Sequence, residues 1–327
     1  MKKSYCLLLM AILLTACSQT ASEESAQPTA TDAPVSTKQP TNHDTASIPS
    51  QPPVQSQAPS PKVAVSPQAT PIVGEVPKPD HVVIVVEENH SFEKIIGNKS
   101  APYMNALSQQ SAFFSQSYAV THPSQPNYLI LFSGSDQGVK DDSCGHNFKT
   151  TNLASELLQA NYTFGGYSED LPSVGSTVCT NHQYGRKHSP WVNFTNVPKE
   201  MNMPLDSFPS DFSKLPTVSF VIPNMDNDMH DGTIKTADDW LKSHVDPYVQ
   251  WAKSHNSLFI LTWDEDDSSK KNHIPTLFVG PMVKTGQFDQ PITHMNVLRT
   301  LEDMYQLPHA GKSGDAQAIK GIWENSR

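Results

Sequence analysis

Three short runs of apolar residues along the chain each end in a cluster of polar residues. They are His81–Val86, Thr217–Ile222 and Leu258–Thr262. Because β-branched and aromatic residues fill them almost without polar interruption, they predict strands buried on both faces, as in a parallel sheet. Ligands of open α/β sheets bind beyond the carboxyl ends of the strands. The pattern therefore predicts that the three polar clusters meet at one edge of the sheet, as in a metal-assisted hydrolase.

The pattern between these runs predicts helices and further strands. Helices are expected at Pro102–Gln109, Pro126–Phe132, Asn152–Ala160, Thr236–Ser254 and Met295–Tyr305, and strands at Ser115–Val120, Tyr162–Tyr167 and Thr276–Val279. Thr236 with Asp239 fits an acidic capping box, a bend is expected near Pro247, and Thr293 is placed to cap the last helix. The segment Leu171–Asp211 is predicted to be a loop-rich cap over the site. This alternation predicts an α/β domain whose mostly parallel central sheet is covered by helices on both faces.

The N-terminus has the pattern of an export signal. Two lysines precede the apolar run Leu7–Leu14, which is too short to span a bilayer as a permanent helix. Residues 1–16 are therefore predicted to be a signal peptide. The sequence Leu14-Thr15-Ala16-Cys17 resembles a bacterial lipobox, which implies that Cys17 is lipidated and anchors the exported protein to a membrane, on the cell surface or facing the periplasm. The alternative is an ordinary secretory signal with a chance cysteine.

Composition divides the rest of the chain in two. Residues 17–78 are rich in Pro, Ser, Thr and Gln and poor in large apolar side chains, which predicts a disordered stalk. Residues 79–327 are long enough for one catalytic domain with a sizeable core. The formal charge of −10, without a run of Lys or Arg, argues against a nucleic-acid partner.

The cysteines lead to one predicted disulfide. Of the four, Cys6 leaves with the signal and Cys17 takes the lipid, so Cys144 and Cys179 remain. Export permits a disulfide between them. The alternative is two free, buried thiols.

The candidate nucleophile is Ser124, in the sequence Thr121-His122-Pro123-Ser124-Gln125-Pro126-Asn127-Tyr128. A serine just before a helix lies in the positive field of unpaired N–H groups. That field suits a phosphate and would stabilise the serine as an alkoxide. The alternative is that Ser124 is an ordinary N-cap.

Hard oxygen ligands follow two of the predicted strands. Glu88 and Asn89 follow the first, and Asp264 and Glu265 follow a later one. These side chains suit a divalent cation such as Ca²⁺, Mg²⁺ or Mn²⁺, and Zn²⁺ is not excluded. Acidic residues at strand ends are also common turn formers.

Basic and imidazole side chains complete the candidate chemistry. Lys187 or Arg186 can hold phosphate oxygens, and His188 can donate a proton or a hydrogen bond, although the segment can also be a solvated surface turn. His230, with Asp231 beside it, is a candidate general acid for the leaving group.

Three further histidines have weaker signals. His122 and His273 are possible auxiliaries of the site, and His294 is expected only to lie at the start of the last helix.

Five of these motifs, in this order, resemble the bacterial acid phosphatase and phospholipase C phosphoesterase family of the alkaline phosphatase-like superfamily. They are Glu88–Phe92, His122–Tyr128, Lys187–Pro190, Asp228–Gly232 and Thr262–Glu265. The resemblance extends from about His81 to Pro281. The chain is most similar to the short secreted acid phosphatases, because it lacks the large inserts and C-terminal modules of the long phospholipases C.

The resemblance implies a role for each matching residue. Ser124 would be the nucleophile and form a phosphoserine. A metal would be held by Ser124 together with Glu88, Asn89, Asp264 and Glu265. The phosphoryl group would be contacted, or the leaving oxygen protonated, by Lys187, His188 and His230, and further candidates for substrate binding are Asn127, Asp231 and His122. A serine rather than a threonine as the nucleophile favours the phosphatase branch.

The expected activity is hydrolysis of phosphate monoesters on a small molecule or a phospholipid. A phospholipase C-type phosphodiesterase and a phosphoinositide phosphatase are the nearest alternatives. A sulfatase is disfavoured because the chain has no Cys-x-Pro-x-Arg motif. A non-catalytic, ligand-binding lipoprotein is the alternative from a different class.

Overall fold

A computed structural model of the protein describes residues 76–324. The predicted signal peptide, the lipidated Cys17 and the stalk as far as residue 75 lie outside the described residues. At the end of the predicted stalk, Val76 packs against the core, and Lys78 Nζ lies 4.8 Å from the centroid of the Tyr162 ring. The described part of the chain contains no helix that is both long and apolar enough to cross a membrane.

The strands form one large sheet and two short pairs. They are β1 (His81–Glu87), β2 (Ala112–Phe114), β3 (Ser117–Tyr118), β4 (Phe164–Ser168), β5 (Thr180–Asn181), β6 (Tyr184–Gly185), β7 (Asn202–Pro204), β8 (Val218–Ile222), β9 (Ser257–Trp263), β10 (Thr276–Val279), β11 (Gly286–Phe288) and β12 (Ile292–Thr293). The eight-stranded sheet has the order β11-β2-β10-β9-β1-β8-β4-β7. Strands β7, β4, β8, β1 and β9 are parallel, and β10 runs antiparallel to β9 and β2. The predicted mostly parallel sheet is confirmed.

Helices join these strands. They are α1 (Phe92–Ile95), α2 (Pro102–Ser108), α3 (Ser124–Ser133), α4 (Leu153–Gln159), α5 (Ile234–Trp240), α6 (Asp246–Ala252) and α7 (His294–Met304). A π-helical segment, Leu241–Val245, joins α5 to α6. Short 3-10 segments lie at Arg186–His188, Pro190–Asn193, Lys199–Met201, Leu205–Ser207, Phe212–Lys214 and Ser313–Asp315.

Helices cover both faces of the sheet, because successive side chains of a strand point to opposite faces. Val82 and Ile84 of β1 belong to a core that includes residues of α3 and α7. Val83 and Val85 belong to a second core with residues of α2, α5 and α6. The prediction of helices on both faces is confirmed.

The strand predicted at Ser115–Val120 is present only as the two residues of β3, and its bounds are wrong. The chain forms β2 earlier, where Phe113 and Phe114 pair with β10 and are buried. It bends at the polar pair that follows and continues as the two-residue β3. A further strand, β7, lies in the segment that was predicted to be a loop-rich cap, and it forms one edge of the central sheet.

The long helix predicted at Thr236–Ser254 begins earlier and is interrupted. Its N-cap is Thr233, whose hydroxyl accepts a hydrogen bond from the N–H of Thr236 at 3.1 Å. Asp239 does not cap the helix and instead pairs with Lys235. The π-helical segment lies just before Pro247, where the bend was expected, because proline has no N–H to continue the regular ladder.

Helix α3 is buried on all sides between the sheet and the loops that cover it. All ten of its residues are buried, and it begins at Ser124 instead of the predicted Pro126. It ends at Gly134 in the left-handed conformation, where a Cβ would lie 2.1 Å from the carbonyl oxygen of Ala310. The predicted disulfide between Cys144 and Cys179 is present and joins two loops on this side of the sheet.

Candidate active site

The three polar clusters that follow β1, β8 and β9 meet at one edge of the sheet, as predicted. Parallel pairing aligns Glu87 with Trp263, so that the next residues, Glu88 and Asp264, lie side by side. The N–H of Asn89 donates to Asp264 Oδ1 at 3.2 Å, with Asn89 in the left-handed region at φ 49°. The N–H of Glu88 donates to the carbonyl of Asp228, which follows β8, at 3.0 Å.

Ser124 is the first residue of α3 and points towards these carboxylates. Its Oγ lies 3.1 Å from Glu88 Oε2 and 3.2 Å from Glu265 Oε1. The N-cap is Pro123, whose own side chain makes no capping hydrogen bond. The alternative of an ordinary N-cap serine is therefore wrong. Only 2% of Ser124 is exposed, so any group that reacts with it must reach the buried edge of the sheet.

Three buried carboxylates, Glu88, Asp264 and Glu265, surround the Ser124 hydroxyl. Burial, followed by the neighbouring charges of Glu88 and Glu265, raises the pKa of Asp264 well above its ordinary value. Burial and the charge of Glu88 raise the pKa of Glu265 to about 8. Asp264 Oδ2 is buried and has no hydrogen-bond partner among residues 76–324. A set of hard oxygens with an orphaned atom among them fits a divalent cation.

His188 lies between two carboxylates beneath the site. Its Nε2 is 2.9 Å from Glu88 Oε1, and its Nδ1 is 3.1 Å from Asp228 Oδ2. Burial opposes the charged imidazolium, but the two carboxylates outweigh burial and raise the pKa of His188 to about 9. Burial likewise opposes ionisation of Glu88, yet His188 lowers the pKa of Glu88 to about 2. His188 is thus held as an imidazolium.

This position corrects the expectation for His188. Both ring nitrogens face carboxylates, so neither is directed towards a substrate as a free proton donor. His188 also stacks on the Tyr128 ring, with 5.0 Å between ring centroids, and only 1% of it is exposed.

Lys187, His230 and Asp231 form a chain of hydrogen bonds beside the carboxylates. Lys187 Nζ donates to His230 Nε2 at 2.9 Å, so the proton of this imidazole lies on Nδ1 and is donated to Asp231 Oδ1 at 2.8 Å. Asp231 therefore orients His230, whereas the sequence predicted that Asp231 contacts the substrate.

A second set of possible metal ligands overlaps the first. Glu88, His188 and His230 each offer one ligand atom, and these atoms lie within 4.8 Å of one another. Both ring nitrogens of His188 already face carboxylates, so the oxygen set around Ser124 fits a cation better than the set that includes His188.

His122 lies at the rim of the site, next to the carboxylates. Its Nδ1 is 2.6 Å from Glu265 Oε2, and its Nε2 is 3.3 Å from Asp266 Oδ1. The imidazole remains 38% exposed, which is compatible with the predicted contact to a substrate.

Asn127 is buried and bonded to the backbone of the preceding loop. Its Oδ1 accepts from the N–H groups of Val120 and Thr121, and its Nδ2 donates to the carbonyl of Thr121 at 2.7 Å. These bonds fix the turn that leads into α3. The second hydrogen of Nδ2 has only a long contact, 3.4 Å, with the carbonyl oxygen of Pro123, so the substrate contact of Asn127 stays a prediction.

The last two candidate histidines, His273 and His294, each contact a backbone carbonyl oxygen. His273 stacks on Phe92, with 4.5 Å between centroids, and its Nε2 is 2.9 Å from the carbonyl oxygen of Ser115. His294 begins α7 as expected, and its Nε2 lies 2.8 Å from the carbonyl oxygen of Trp263. Burial lowers the pKa of His294 to about 4, so this imidazole is neutral.

Three residues of the site had no predicted role. Tyr128 O–H donates to Glu88 Oε1 at 2.8 Å; its spacing of four residues from Ser124 places it on the same helix face and could have identified it. Asp228 begins the motif Asp228–Gly232, which is one of the five that resemble the phosphoesterase family. Asp142 contacts Lys187 at 3.2 Å, and no pattern in its loop distinguishes it from other surface aspartates.

A mostly parallel sheet, with a serine that begins a buried helix and faces acidic strand ends, defines an alkaline phosphatase-like fold. The fold is similar to that of a Vibrio parahaemolyticus protein in the alkaline phosphatase superfamily, with a TM-score of 0.54, 11% sequence identity and coverage of 75% of this chain and 72% of that one.

The particular family follows from the sequence comparisons. The chain matches the phosphoesterase family over residues 98–308 and belongs to it. It is 52% identical over 264 residues to a phosphatidylinositol-3-phosphatase of Mycobacterium tuberculosis, covering 80% of this chain and 88% of that protein. It is 30% identical over 246 residues to an acid phosphatase of Aspergillus fumigatus, covering 69% of this chain and 54% of that protein. The protein is a hydrolase of phosphoric ester bonds.

Proposed function

We propose that the protein is an exported phosphomonoesterase that works through a phosphoserine intermediate at Ser124. The observation that carries this proposal is the position of the Ser124 hydroxyl, which lies at the first turn of α3 within 3.2 Å of two buried carboxylates. The N–H groups of that turn attract a phosphate, and their field favours the alkoxide of the serine.

The names of the relatives support a monoester substrate. One is a phosphatidylinositol-3-phosphatase and another is an acid phosphatase, and both names describe removal of a terminal phosphate. The substrate class is therefore a phosphate monoester, with the 3-phosphate of an inositol lipid as the leading candidate. A phosphodiesterase of the phospholipase C type remains as an outcome of the test.

A divalent cation fits the oxygen ligands of the site. Glu88, Asn89, Asp264 and Glu265 would hold it together with Ser124, and it would supply Lewis-acid stabilisation of the phosphate charge. Asp264 Oδ2, which has no hydrogen-bond partner in the described part of the chain, would be among its ligands.

The protein's own side chains account for the remaining steps. Ser124 Oγ gives its proton to one of the two carboxylates that accept from it and attacks phosphorus in line, while the ester P–O bond breaks. Lys187 contributes positive charge to the phosphoryl oxygens. His230, oriented by Asp231 through Nδ1, would in its protonated form give the Nε2 proton to the departing alkoxide and then take a proton from the water that cleaves the phosphoserine. The serine oxygen recovers its proton from the carboxylate when the phosphoserine is cleaved.

The location of the enzyme is proposed from the sequence. The lipobox-like Leu14-Thr15-Ala16-Cys17 supports export and lipid anchoring, and the Pro-rich residues 17–78 would extend the domain from the membrane. Incorporation of radiolabelled palmitate that persists in a Cys17→Ser variant would contradict anchoring at this cysteine.

The test of the activity is phosphate release from p-nitrophenyl phosphate, from a short-chain phosphatidylinositol 3-phosphate and from phosphatidylcholine. We expect turnover of the two monoesters and a loss of at least about 10³-fold in Ser124→Ala, as for the loss of other nucleophiles. Ser254→Ala, in the exposed turn that follows α6, is the matched control and should retain full activity. Monoester turnover that persists in Ser124→Ala, or hydrolysis of phosphatidylcholine alone, would overturn the proposal.

A further inference from the structure

Asp142, which lies outside the predicted site residues, connects the two sides of the proposed phosphate site. Its Oδ1 accepts a hydrogen bond from the backbone N–H of Gln125 at 3.0 Å, and its Oδ2 accepts one from Lys187 Nζ at 3.2 Å. Gln125 directly follows Ser124, and Lys187 Nζ also donates to His230. One carboxylate therefore contacts both the first turn of the nucleophile's helix and the basic side of the site.

The backbone around Asp142 is bound to the same helical turn. With its side-chain amide nitrogen facing the loop, Gln125 donates to the carbonyl of Asp141 at 3.2 Å and to that of Ser143 at 2.7 Å. Only 1% of Gln125 is exposed. These bonds and the bond to the Asp142 carboxylate hold the loop against the start of α3, which fixes the direction of the Asp142 side chain.

The disulfide joins this loop to the segment that carries Lys187. Cys144, two residues after Asp142, is bonded to Cys179. The carbonyl of Cys179 accepts a hydrogen bond from the N–H of Arg186 at 2.9 Å, and Arg186 directly precedes Lys187. The Arg186 guanidinium donates to the carbonyls on both sides of the bridge, at Thr177 and His146.

The geometry points to Asp142 as a positioning residue for phosphoester hydrolysis. The Cys144–Cys179 disulfide holds the Asp142 side chain in place. Reduction of this disulfide therefore lowers the catalytic efficiency of the folded enzyme. Lysine is a point charge on a flexible stem, and a partner that fixes its ammonium group lowers the entropy cost of placing the charge against a phosphate. Without the Asp142 carboxylate, Lys187 is free to turn towards the other acidic groups of the site. The inference rests on the proposed function, in which Lys187 contacts the phosphate.

The bridge is accessible to a reductant, since both cysteines are exposed. A water-soluble phosphine breaks the S–S bond and transfers two electrons to it. The two sulfurs take up two protons and become thiols, and the phosphine is oxidised to its oxide with oxygen from water.

The first arm of the test replaces Asp142 in the full chain. Asp142→Asn keeps an oxygen for the Gln125 N–H but removes the charge that faces Lys187, and we expect kcat/KM for p-nitrophenyl phosphate to fall about tenfold. KM and the inhibition constant of inorganic phosphate should rise while kcat changes less, and Asp142→Glu should recover part of the loss. Asp141→Asn is the matched control, because the side chain of this exposed neighbour bonds only to Ser143 within the described residues.

The second arm tests the connection with the disulfide. Phosphine-treated wild type should lose about as much kcat/KM as Asp142→Ala, and reduction of Asp142→Ala should cost no more than about twofold further, since the two changes act on one interaction. A double replacement, Cys144→Ala with Cys179→Ala, should match the reduced wild type. Near-UV circular dichroism checks that each protein is folded at the assay temperature.

Each outcome decides the inference. Full activity in both Asp142→Asn and Asp142→Ala would overturn the positioning role. An equal loss on reduction with and without Asp142, or unfolding on reduction, would overturn the connection with the disulfide. If the wild type does not hydrolyse monoesters, the proposed function fails, whereas calorimetric binding of inorganic phosphate to the same variants still decides the role of Asp142.

Discussion

A buried glutamate far from the nucleophile in sequence gives a sharp prediction about stability. Glu156 of α4 is 2% exposed, and neither of its carboxylate oxygens has a hydrogen-bond partner within the described residues. Burial, and secondarily the charge of Glu302 in α7, raises the pKa of Glu156 to about 8. The folded protein therefore keeps this carboxyl protonated at pH values at which the unfolded chain ionises it.

The direction and size of the effect follow from linkage. An acid with a raised folded pKa contributes its full stability below its unfolded pKa, near 4.5, and that stability is lost as the pH rises through about 8. The loss is about 1.4 kcal/mol per pH unit within this window, or roughly 4–5 kcal/mol in all. Replacement by the neutral isostere in Glu156→Gln should remove this part of the pH dependence.

Urea unfolding at several pH values between 5 and 8 measures the contribution of Glu156 to the pH dependence of stability. The free energy of unfolding of the wild type should fall relative to Glu156→Gln as the pH rises, and the gap should change by several kcal/mol across the range. Glu200→Gln, at an exposed position, is the control and should follow the wild type. Parallel pH curves for the wild type and Glu156→Gln would refute the reasoning.

Three further predictions concern the core and the site. Gly166→Ala places a Cβ 2.1 Å from the Trp191 ring, so we expect a loss of about 1–3 kcal/mol or more in urea unfolding, and an unchanged midpoint would contradict this packing. Tyr128→Phe removes the hydroxyl that donates to Glu88 Oε1 and should cost about 1–3 kcal/mol, which a variant as stable as the wild type would disprove. Divalent cations added after EDTA treatment should raise the melting temperature. At a hundredfold excess over Kd the free energy of unfolding should increase by about 2.7 kcal/mol, and Asp264→Asn should abolish this increase. A wild type insensitive to every cation would remove the metal from the proposal.

The parts of the fold that depend on local pattern could be predicted from the sequence. The continuous apolar runs gave β1, β8 and β9 to within one residue at each end. The meeting of Glu88 with Asp264 followed from the geometry of parallel strands, because both residues directly follow paired strands.

The start of α3 could not be resolved by the same means. Two prolines, Pro123 and Pro126, both suit the first turn of a helix, and the sequence does not say which lies at the boundary. The structure places Pro123 at the N-cap and Ser124 within the helix.

Contacts between distant segments were also beyond the sequence. His188 looked like a free proton donor because its two carboxylate partners, Glu88 and Asp228, are 100 and 40 positions away. The role of Asp142 depends on a loop whose path is set by long-range bonds to Gln125 and Lys187. Such pairings arise only once the strands and helices have packed.

The side-by-side arrangement of β1 and β9 has a consequence for how such an enzyme diversifies. Neighbouring strands lie about 4.8 Å apart, so the spacing between Glu88 and Asp264 is set by the backbone ladder and not by any loop. The Lys187 and Asp142 side of the site, by contrast, is built from irregular segments tied by a disulfide. Insertions and substitutions in those segments can alter which esters are accepted while the acidic pair keeps its geometry. Substrate selectivity can therefore change without any change in the spacing of Glu88 and Asp264.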